Sequence, residues 1–239
     1  MDSSLWDAIA KVERRHWWFQ GRREIVARVL EARLPAGASV LDVGCGTGFV
    51  LERLAERFEV TGLEPDDSVR ARAHPTIAAK LLRGGSDNLS ALAGRTFDAV
   101  LMLDVLEHVD DDVEALQQVK PAIRPGGLLL ATVPANPKLW SQHDVLNEHR
   151  RRYTLALLDE QLSAANYAVQ HLTYINSRLY PLAWAHRLVA RNTMGGLAVP
   201  PNPLNRLFTL VFSSEGSGPS PRFSRGLSLL AIASAKSQS

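Results

Sequence analysis

The feature that most constrains this chain is the run Val40-Leu41-Asp42-Val43 breaking into Gly44-Cys45-Gly46-Thr47-Gly48. A short apolar strand that ends in closely spaced glycines and then opens a helix (Phe49 to Phe58, burying Val50, Leu51 and Leu54) is a ligand-binding turn. Glycine lets a ligand approach the backbone, and the helix start offers unpaired N–H groups. A dinucleotide site would space its glycines G-x-G-x-x-G and hold a pyrophosphate there. Here the sixth position is Phe49 and the spacing is G-x-G-x-G. Asp42, just before the loop, would repel a pyrophosphate and attract a cation, so both features argue against NAD. Glu64 ends the next strand, Val60-Thr61-Gly62-Leu63, 16 residues past Gly48. A carboxylate in that position can accept hydrogen bonds from two ribose hydroxyls and disfavours a 2′-phosphate; alone, it could equally be a solvated turn acid before Pro65.

The rest of the chain continues the alternation. Ala79 to Arg83 reads as a weak third strand, Phe97 to Leu103 and Leu128 to Val133 as strong buried ones, and Val169 to Ile175 and Leu227 to Ala233 as two later strands. Asp110-Asp111-Asp112 caps a helix carrying Val113, Leu116 and Val119; Pro121 ends it, and Pro125-Gly126-Gly127 turns into the next strand. Thr154 caps another helix, with Asn166 where a left-handed residue closes it. Near the N-terminus, Leu5, Ile9, Val12 and His16 form one helical stripe, and a second helix reads from Glu24. Strands alternating with helices predict a parallel sheet covered on both faces, doubly wound by right-handed crossovers, with ligands at the carboxyl ends of the strands.

Composition sets the outer limits. With 239 residues, 46% hydrophobic and 22% charged, the chain can bury a full core as one domain. The single cysteine, Cys45, excludes an internal disulfide and a cysteine-rich zinc site, and no His, Cys and Asp grouping along the chain has metal-ligand spacing. No basic-flanked apolar leader and no run of 18 apolar residues appears, so a cytoplasmic protein is expected. Charge is uneven. Residues 161–239 carry seven basic side chains against Glu215 alone. Either that part meets an acidic partner, such as a phosphate-bearing substrate or an anionic membrane surface, or it is a solvated basic face.

Taken in order, Val40 to Gly48, Glu64, Phe97-Asp98, Leu103-Asp104-Val105-Leu106-Glu107-His108-Val109 and Arg124-Pro125-Gly126-Gly127 resemble the class I S-adenosylmethionine-dependent methyltransferases. The resemblance covers roughly residues 17–175 and a closing strand near 227–233. It implies a Rossmann-like α/β fold: a doubly wound, mostly parallel seven-stranded sheet with a reversed final hairpin. One domain would then comprise N-terminal lid helices (1–37), a cofactor-binding core (38–175), a mainly helical insertion (176–226), the last strand (227–233) and a tail. It further implies S-adenosylmethionine as cofactor. Gly44, Cys45, Gly46 and Gly48 would line its methionine half, Asp42 would sit near its ammonium, and Glu64 would hold the ribose. Ser86 and Asp87 would border the adenine, with either the Ser86 N–H or Asp87 making the contact; Leu103 and Asp104 would lie beside the methionine. His16-Trp17-Trp18-Phe19-x-Gly21-Arg22-Arg23 is similar to a lid segment in part of this family. Its rings can exclude water, and Arg22 can clamp the methionine carboxylate; the aromatics could instead be core.

For the acceptor, His108, His143 and His149 are candidate general bases on loops facing one crevice. Arg151, Arg152 and Tyr153, within Arg150-Arg151-Arg152-Tyr153, could bind a phosphate or carboxylate of the acceptor, or could simply frame a helix start. A helix after Pro181 (Leu182, Trp184, Leu188, Val189, Arg187, Arg191) could cap the pocket, lie on a membrane or form a dimer contact. The expected reaction is methyl transfer to a small-molecule, lipid-linked or sugar-linked acceptor by a monomer or homodimer. Pro134-Ala135-Asn136-Pro137 is not the Asn/Asp-Pro-Pro-Tyr type of motif, which argues against nucleic acid. The alternatives are a related nucleotide-type transferase that does not methylate and a non-catalytic binding subunit retaining the fold.

Overall fold

The computed structural model describes residues 3–182, 198–216 and 223–236. Seven strands form one sheet: β1 (Ser39–Val43), β2 (Glu59–Glu64), β3 (Leu81–Arg83), β4 (Phe97–Leu103), β5 (Ile123–Pro134), β6 (Tyr167–Ile175) and β7 (Ser228–Ala235). Their order is β3-β2-β1-β4-β5-β7-β6, with β7 antiparallel to both neighbours and β1 to β5 parallel. The chain winds outward from β1 to β3 and then crosses back to β4. That reversal leaves a crevice above the carboxyl ends of β1 and β4.

The strands read as unbroken apolar runs because both faces are covered. Alternate residues enter opposite cores. Leu41, Val43, Val100 and Met102 join Leu116 and Val119 of α6 (Asp112–Val119) and Leu158 and Leu162 of α8 (Leu155–Ala164). Val40, Ala99 and Leu101 join Ile25 and Val29 of α2 (Trp17–Glu31) and Leu51 and Leu54 of α3 (Phe49–Leu54). The expected caps are in place. Asp111 accepts from Glu114 N–H at 2.8 Å, Thr154 from Leu157 N–H at 3.1 Å, and Asn166 has φ +63°.

Four expectations change. The N-terminal stripe is broken: α1 (Ser3–Val12) ends early, and His16 caps α2, its Nδ1 accepting from Trp18 N–H at 3.2 Å. Consequently α2 begins at Trp17, not Glu24, and Gly21 lies inside it. A Cβ there would lie 2.4 Å from Phe212 Cδ1, so tertiary contact overrides helix propensity. Second, α3 stops at Leu54, short of Phe58. Third, Pro125 to Gly127 belong to β5, whose pairing with β4 shifts register between Phe97 and Ala99. Fourth, Val199 to Asn205, which its prolines and asparagines make read as a turn-rich stretch of the insertion, gives way at Asn202 to helix α9 (Asn202–Ser213), with proline in its first turn, where a missing N–H costs nothing. Its Phe208 and Phe212 meet the Trp17 ring edge-on at 5.7 and 5.9 Å. Of the helix expected after Pro181, every residue named above except Leu182 lies outside the described residues. Among the described residues no helix is long and apolar enough to cross a membrane.

Candidate functional site

The glycine loop leaves β1 with Gly44, Gly46 and Gly48 all in the left-handed region, at φ +75°, +58° and +76°. At Gly44 a side chain is excluded twice over, because a Cβ would also lie 2.7 Å from Val105 Cγ2. Beneath the loop, Asp42 is 1% exposed, and its Oδ1 has no hydrogen-bond partner among the described residues. Burial pushes its carboxyl up to about 7, against the pull of the Arg22 charge and with Glu64 adding to the rise. Glu64 is also buried. Its Oε2 accepts from Gly46 N–H at 3.0 Å and its Oε1 from Asp66 N–H at 3.1 Å, tying the end of β2 to the loop. Burial raises its pKa, and these two bonds oppose the rise.

This loop opens onto a cavity of about 2220 Å³. Of the candidates from sequence, Arg22, Gly44, Cys45, Gly46, Glu64, Ser86, Asp87, Leu103, Asp104, His108, His143, His149 and Arg152 line it; Asp42, Gly48, Arg151 and Tyr153 do not. Arg22 projects from α2 over the Trp18 ring, 4.7 Å from its centroid, and forms an ion pair with Asp104. Asp104 has φ +56° and accepts from Thr132 Oγ1 at 3.2 Å. The Arg22 Nε is buried and unpartnered, so the guanidinium keeps a donor beyond that ion pair.

The N-terminal segment closes over the loop through residues that carry no local signal in the sequence. The Trp6 ring lies over Gly46, where a Cβ would sit 3.1 Å from it. The buried Glu13 accepts from Thr47 Oγ1, at 2.8 and 2.9 Å to its two oxygens, and burial pushes its carboxyl to about 7.

On the opposite side, the loops after β4 and β5 bring the histidines together. His149 Nδ1 lies 3.0 Å from Asp144 Oδ1, and its ring centroid is 4.9 Å from His108 and 6.2 Å from His143. Asp144 is fully buried in the capping box of the short helix α7 (Gln142–Leu146). Burial opposes its ionisation. Hydrogen bonds from His149 and Arg152, with the Arg152 charge, outweigh burial and hold the carboxyl well below the usual range. Burial, with the neighbouring His149, lowers His108 to about 4. Glu107 is 1% exposed with neither carboxylate oxygen partnered; burial and the Asp104 charge drive its pKa well up. Glu107, His108 and His149 place their potential ligand atoms within 4.8 Å of one another. Spacing along the chain does not reveal this grouping, because His149 arrives from 41 residues downstream of His108.

The Arg-Arg-Arg-Tyr segment departs from the substrate-binding expectation. Arg152 is buried, bonded to Asp144 through Nε at 2.7 Å and Nη2 at 3.0 Å and to Ala135 O through Nη1 at 3.0 Å. Arg151 pairs with Asp112 at 3.1 Å and donates to Asp110 O at 2.6 Å and Val109 O at 3.1 Å. Tyr153 is fully buried, its hydroxyl within bonding distance of Asp112 Oδ2 (2.8 Å) and Leu106 O (3.1 Å). These groups frame the loops, with their hydrogen-bonding capacity directed at the protein.

Buried acids under a left-handed glycine loop at the switch point of a doubly wound sheet define a protein of the nucleoside-cofactor-binding α/β class. A family model described as a methyltransferase domain matches residues 14–172, and the chain belongs to that family, the S-adenosylmethionine-dependent methyltransferases. A probable S-adenosylmethionine-dependent methyltransferase of Mycolicibacterium smegmatis is 30% identical over 158 residues, 65% of this chain and 61% of that protein. A ubiquinone biosynthesis O-methyltransferase of Xanthomonas axonopodis pv. citri is 34% identical over 139 residues, 55% of this chain and 57% of that one. The chain thus matches about three-fifths of the length of these relatives. Among solved structures, an S-adenosylmethionine-dependent methyltransferase from Clostridium acetobutylicum superposes with a TM-score of 0.61 at 11% identity, covering 91% of this chain and 92% of that one. Phosphoethanolamine N-methyltransferase 2 of Haemonchus contortus, in complex with S-adenosyl-L-methionine, gives 0.58 at 14% identity, covering 90% and 53%. At these identities the likeness is one of fold.

Proposed function

We propose that this protein methylates an oxygen of a small organic acceptor, using S-adenosylmethionine bound at the glycine loop. One observation carries the cofactor assignment: the left-handed glycine loop and the buried Glu64 that bonds to it share one cavity wall, at the carboxyl ends of β1 and β2. Asp42 would lie near the ammonium from behind the loop, while Arg22 would meet the carboxylate, Glu64 the ribose hydroxyls, and Ser86 or Asp87 the adenine edge. When bound, the cofactor supplies an activated methyl on sulfur, so the protein's task is alignment, exclusion of water and removal of the acceptor proton. Trp6, Trp17 and Trp18 on the cavity wall exclude water.

His149 is the proton acceptor in this reading. The charged Asp144 takes its Nδ1–H, which leaves Nε2 as the basic atom of a side chain on the cavity wall. Oxygen as the methylated atom is supported by this base and by the activity named for the Xanthomonas relative. The saturated Arg151 and Arg152 argue for an acceptor without a phosphate or carboxylate held at that segment. A second reading of the proton step rests on Glu107, His108 and His149. Two imidazoles and a buried, unpartnered carboxylate suit a divalent cation, and Asp144 behind His149 is the outer partner such a ligand uses. Glu107, His108 and His149 would hold such a cation, which would lower the pKa of an acceptor hydroxyl so that water suffices to take its proton.

Calorimetric titration of S-adenosylhomocysteine, with NAD as control, tests the cofactor site. Binding that weakens at least tenfold in Glu64→Ala (about 1.4 kcal/mol) supports it; binding indifferent to Glu64 refutes it. Elemental analysis after dialysis against zinc or manganese separates the two proton steps: one ion per chain, lost in Glu107→Gln, selects the cation, and none selects His149.

A further inference from the structure

The end of β6 presents a further unpartnered polar group to the same cavity. Asn176 is fully buried, has φ +56°, and among the described residues neither its amide nitrogen nor its oxygen has a hydrogen-bond partner. It is a cavity-lining residue, and the strand pairing that joins Ile175 to Ser228 carries it on opposite Leu227, another lining residue. A buried primary amide that makes no hydrogen bond is an unusual expense, so it points to a partner that the folded chain does not supply.

The backbone, and not the side chain, holds this amide in position. Glu215, the lone acid after residue 160, is buried beside the turn. Its carboxylate accepts the Ser177 N–H at 2.9 and 3.1 Å and the Arg178 N–H at 2.8 Å. From the other side Gly226 presses against the turn. A Cβ there would lie 2.4 Å from Ile175 O and 2.8 Å from Ser177 Oγ. The turn is therefore held by both, while the Asn176 amide has no partner among the described residues. The lining nearest in sequence and pairing is the apolar Leu179 and Leu227 with Ser228 beside them, so it carries no charge. The Arg178 guanidinium is engaged with Ser214 Oγ. Two strands, β5 and β7, separate β6 from β4, so Asn176 lies at the far end of the cavity from Asp104.

We infer that the Asn176 carboxamide recognises the end of the methyl acceptor remote from the reacting atom, through an uncharged group that both donates and accepts a hydrogen bond, such as a carboxamide. This deepens the methyltransferase reading above and rests on it for the word acceptor. A site with an amide as its polar group matches a neutral donor–acceptor pair and rejects analogues that lack it, because they leave the amide unpaired. An anion is disfavoured at the same place, since one half of the amide is itself an acceptor and the Glu215 carboxylate lies behind the turn.

The test is a nuclear magnetic resonance titration of ¹⁵N-labelled protein, both ligand-free and saturated with S-adenosylhomocysteine. The probes are benzamide, acetophenone (acceptor only) and benzoate (charged). Asn176→Gly, which tolerates the left-handed backbone, assigns the side-chain NH₂ resonance by its loss; Asn176→Asp keeps the shape and removes the donor. Dispersed backbone amide spectra show that each variant is folded. We expect benzamide to shift the Asn176 NH₂ resonance saturably and to bind at least tenfold tighter than either other probe, with that preference lost in both variants. Equal binding of the three probes, a preference unchanged in Asn176→Gly, or an unmoved NH₂ resonance at saturation overturns the inference. If S-adenosylhomocysteine fails to bind while benzamide still discriminates, the cofactor reading fails and the subsite stands. If S-adenosylhomocysteine binds and benzamide does not discriminate, only the subsite fails.

Discussion

Replacing Arg152 by methionine separates two uses of one guanidinium. If Arg152 bound an anionic acceptor, Arg152→Met would weaken acceptor binding and leave stability unchanged. The structure instead encloses Arg152 with Asp144, at 5% and 0% exposure, in a two-point ion pair that also anchors His149. Removing one partner of such a pair leaves a buried charge uncompensated, a loss of about 3–5 kcal/mol. At roughly 2–4 °C per kcal/mol for a chain of this size, the melting temperature should fall by about 6–20 °C. Asp144→Leu should cost a similar amount. The double replacement Asp144→Leu with Arg152→Met should recover part of it, giving a coupling of about 2 kcal/mol or more. The Asp144 carboxyl is held below its usual range. Its contribution is therefore present above the unfolded value near pH ~3.9 and disappears only as pH falls through the folded value. The penalty should accordingly be constant from pH 6 to 8 (about two pH units above the carboxylate range). Thermal unfolding followed by circular dichroism reads all four proteins. A melting temperature of Arg152→Met within about 2 °C of wild type would refute the argument.

Two further predictions concern the N-terminal segment. Glu13 carries a pKa raised to about 7 by burial, so the folded chain holds its proton more tightly than the unfolded one. Stability should therefore decline as pH rises from about 4.5 to 7, by up to about 3 kcal/mol. Glu13→Gln, which keeps an acceptor for Thr47, should match wild type near pH 4.5 and exceed it at pH 8 in urea unfolding; parallel curves at both pH values would count against the shift. Gly21→Ala should gain about 1 kcal/mol of helix propensity and lose about 1–3 kcal/mol to the clash with Phe212, a net destabilisation. Phe212→Leu in the same chain should relieve part of that loss, as measured by the unfolding midpoint.

Much of the glycine-loop side of the cavity was legible along the chain because it is assembled locally. A strand, its glycine turn and the acid ending the next strand lie within 25 residues, from Val40 to Glu64, and backbone geometry alone demands those residue types. The seven strands were legible for a related reason. A strand buried on both faces must be apolar along its whole length, and helices between such strands permit few topologies. Caps such as Asp111, Thr154 and Asn166 also answer to their immediate neighbours.

The histidine side of the cavity was not legible in the same way. Whether Arg152 faces a ligand or a buried Asp144, whether Gly21 interrupts a helix or admits Phe212, and whether Glu107 meets His149 are decided by contacts across 8 to 191 residues. A guanidinium reads the same in sequence when saturated by a carboxylate or open to solvent, and an asparagine reads the same when paired or orphaned. Residue type fixes what a group can bond to. Only the packed chain decides which of those bonds the protein makes for itself, and so which groups, Asp42, Glu107 and Asn176 among them, are left for something else to meet.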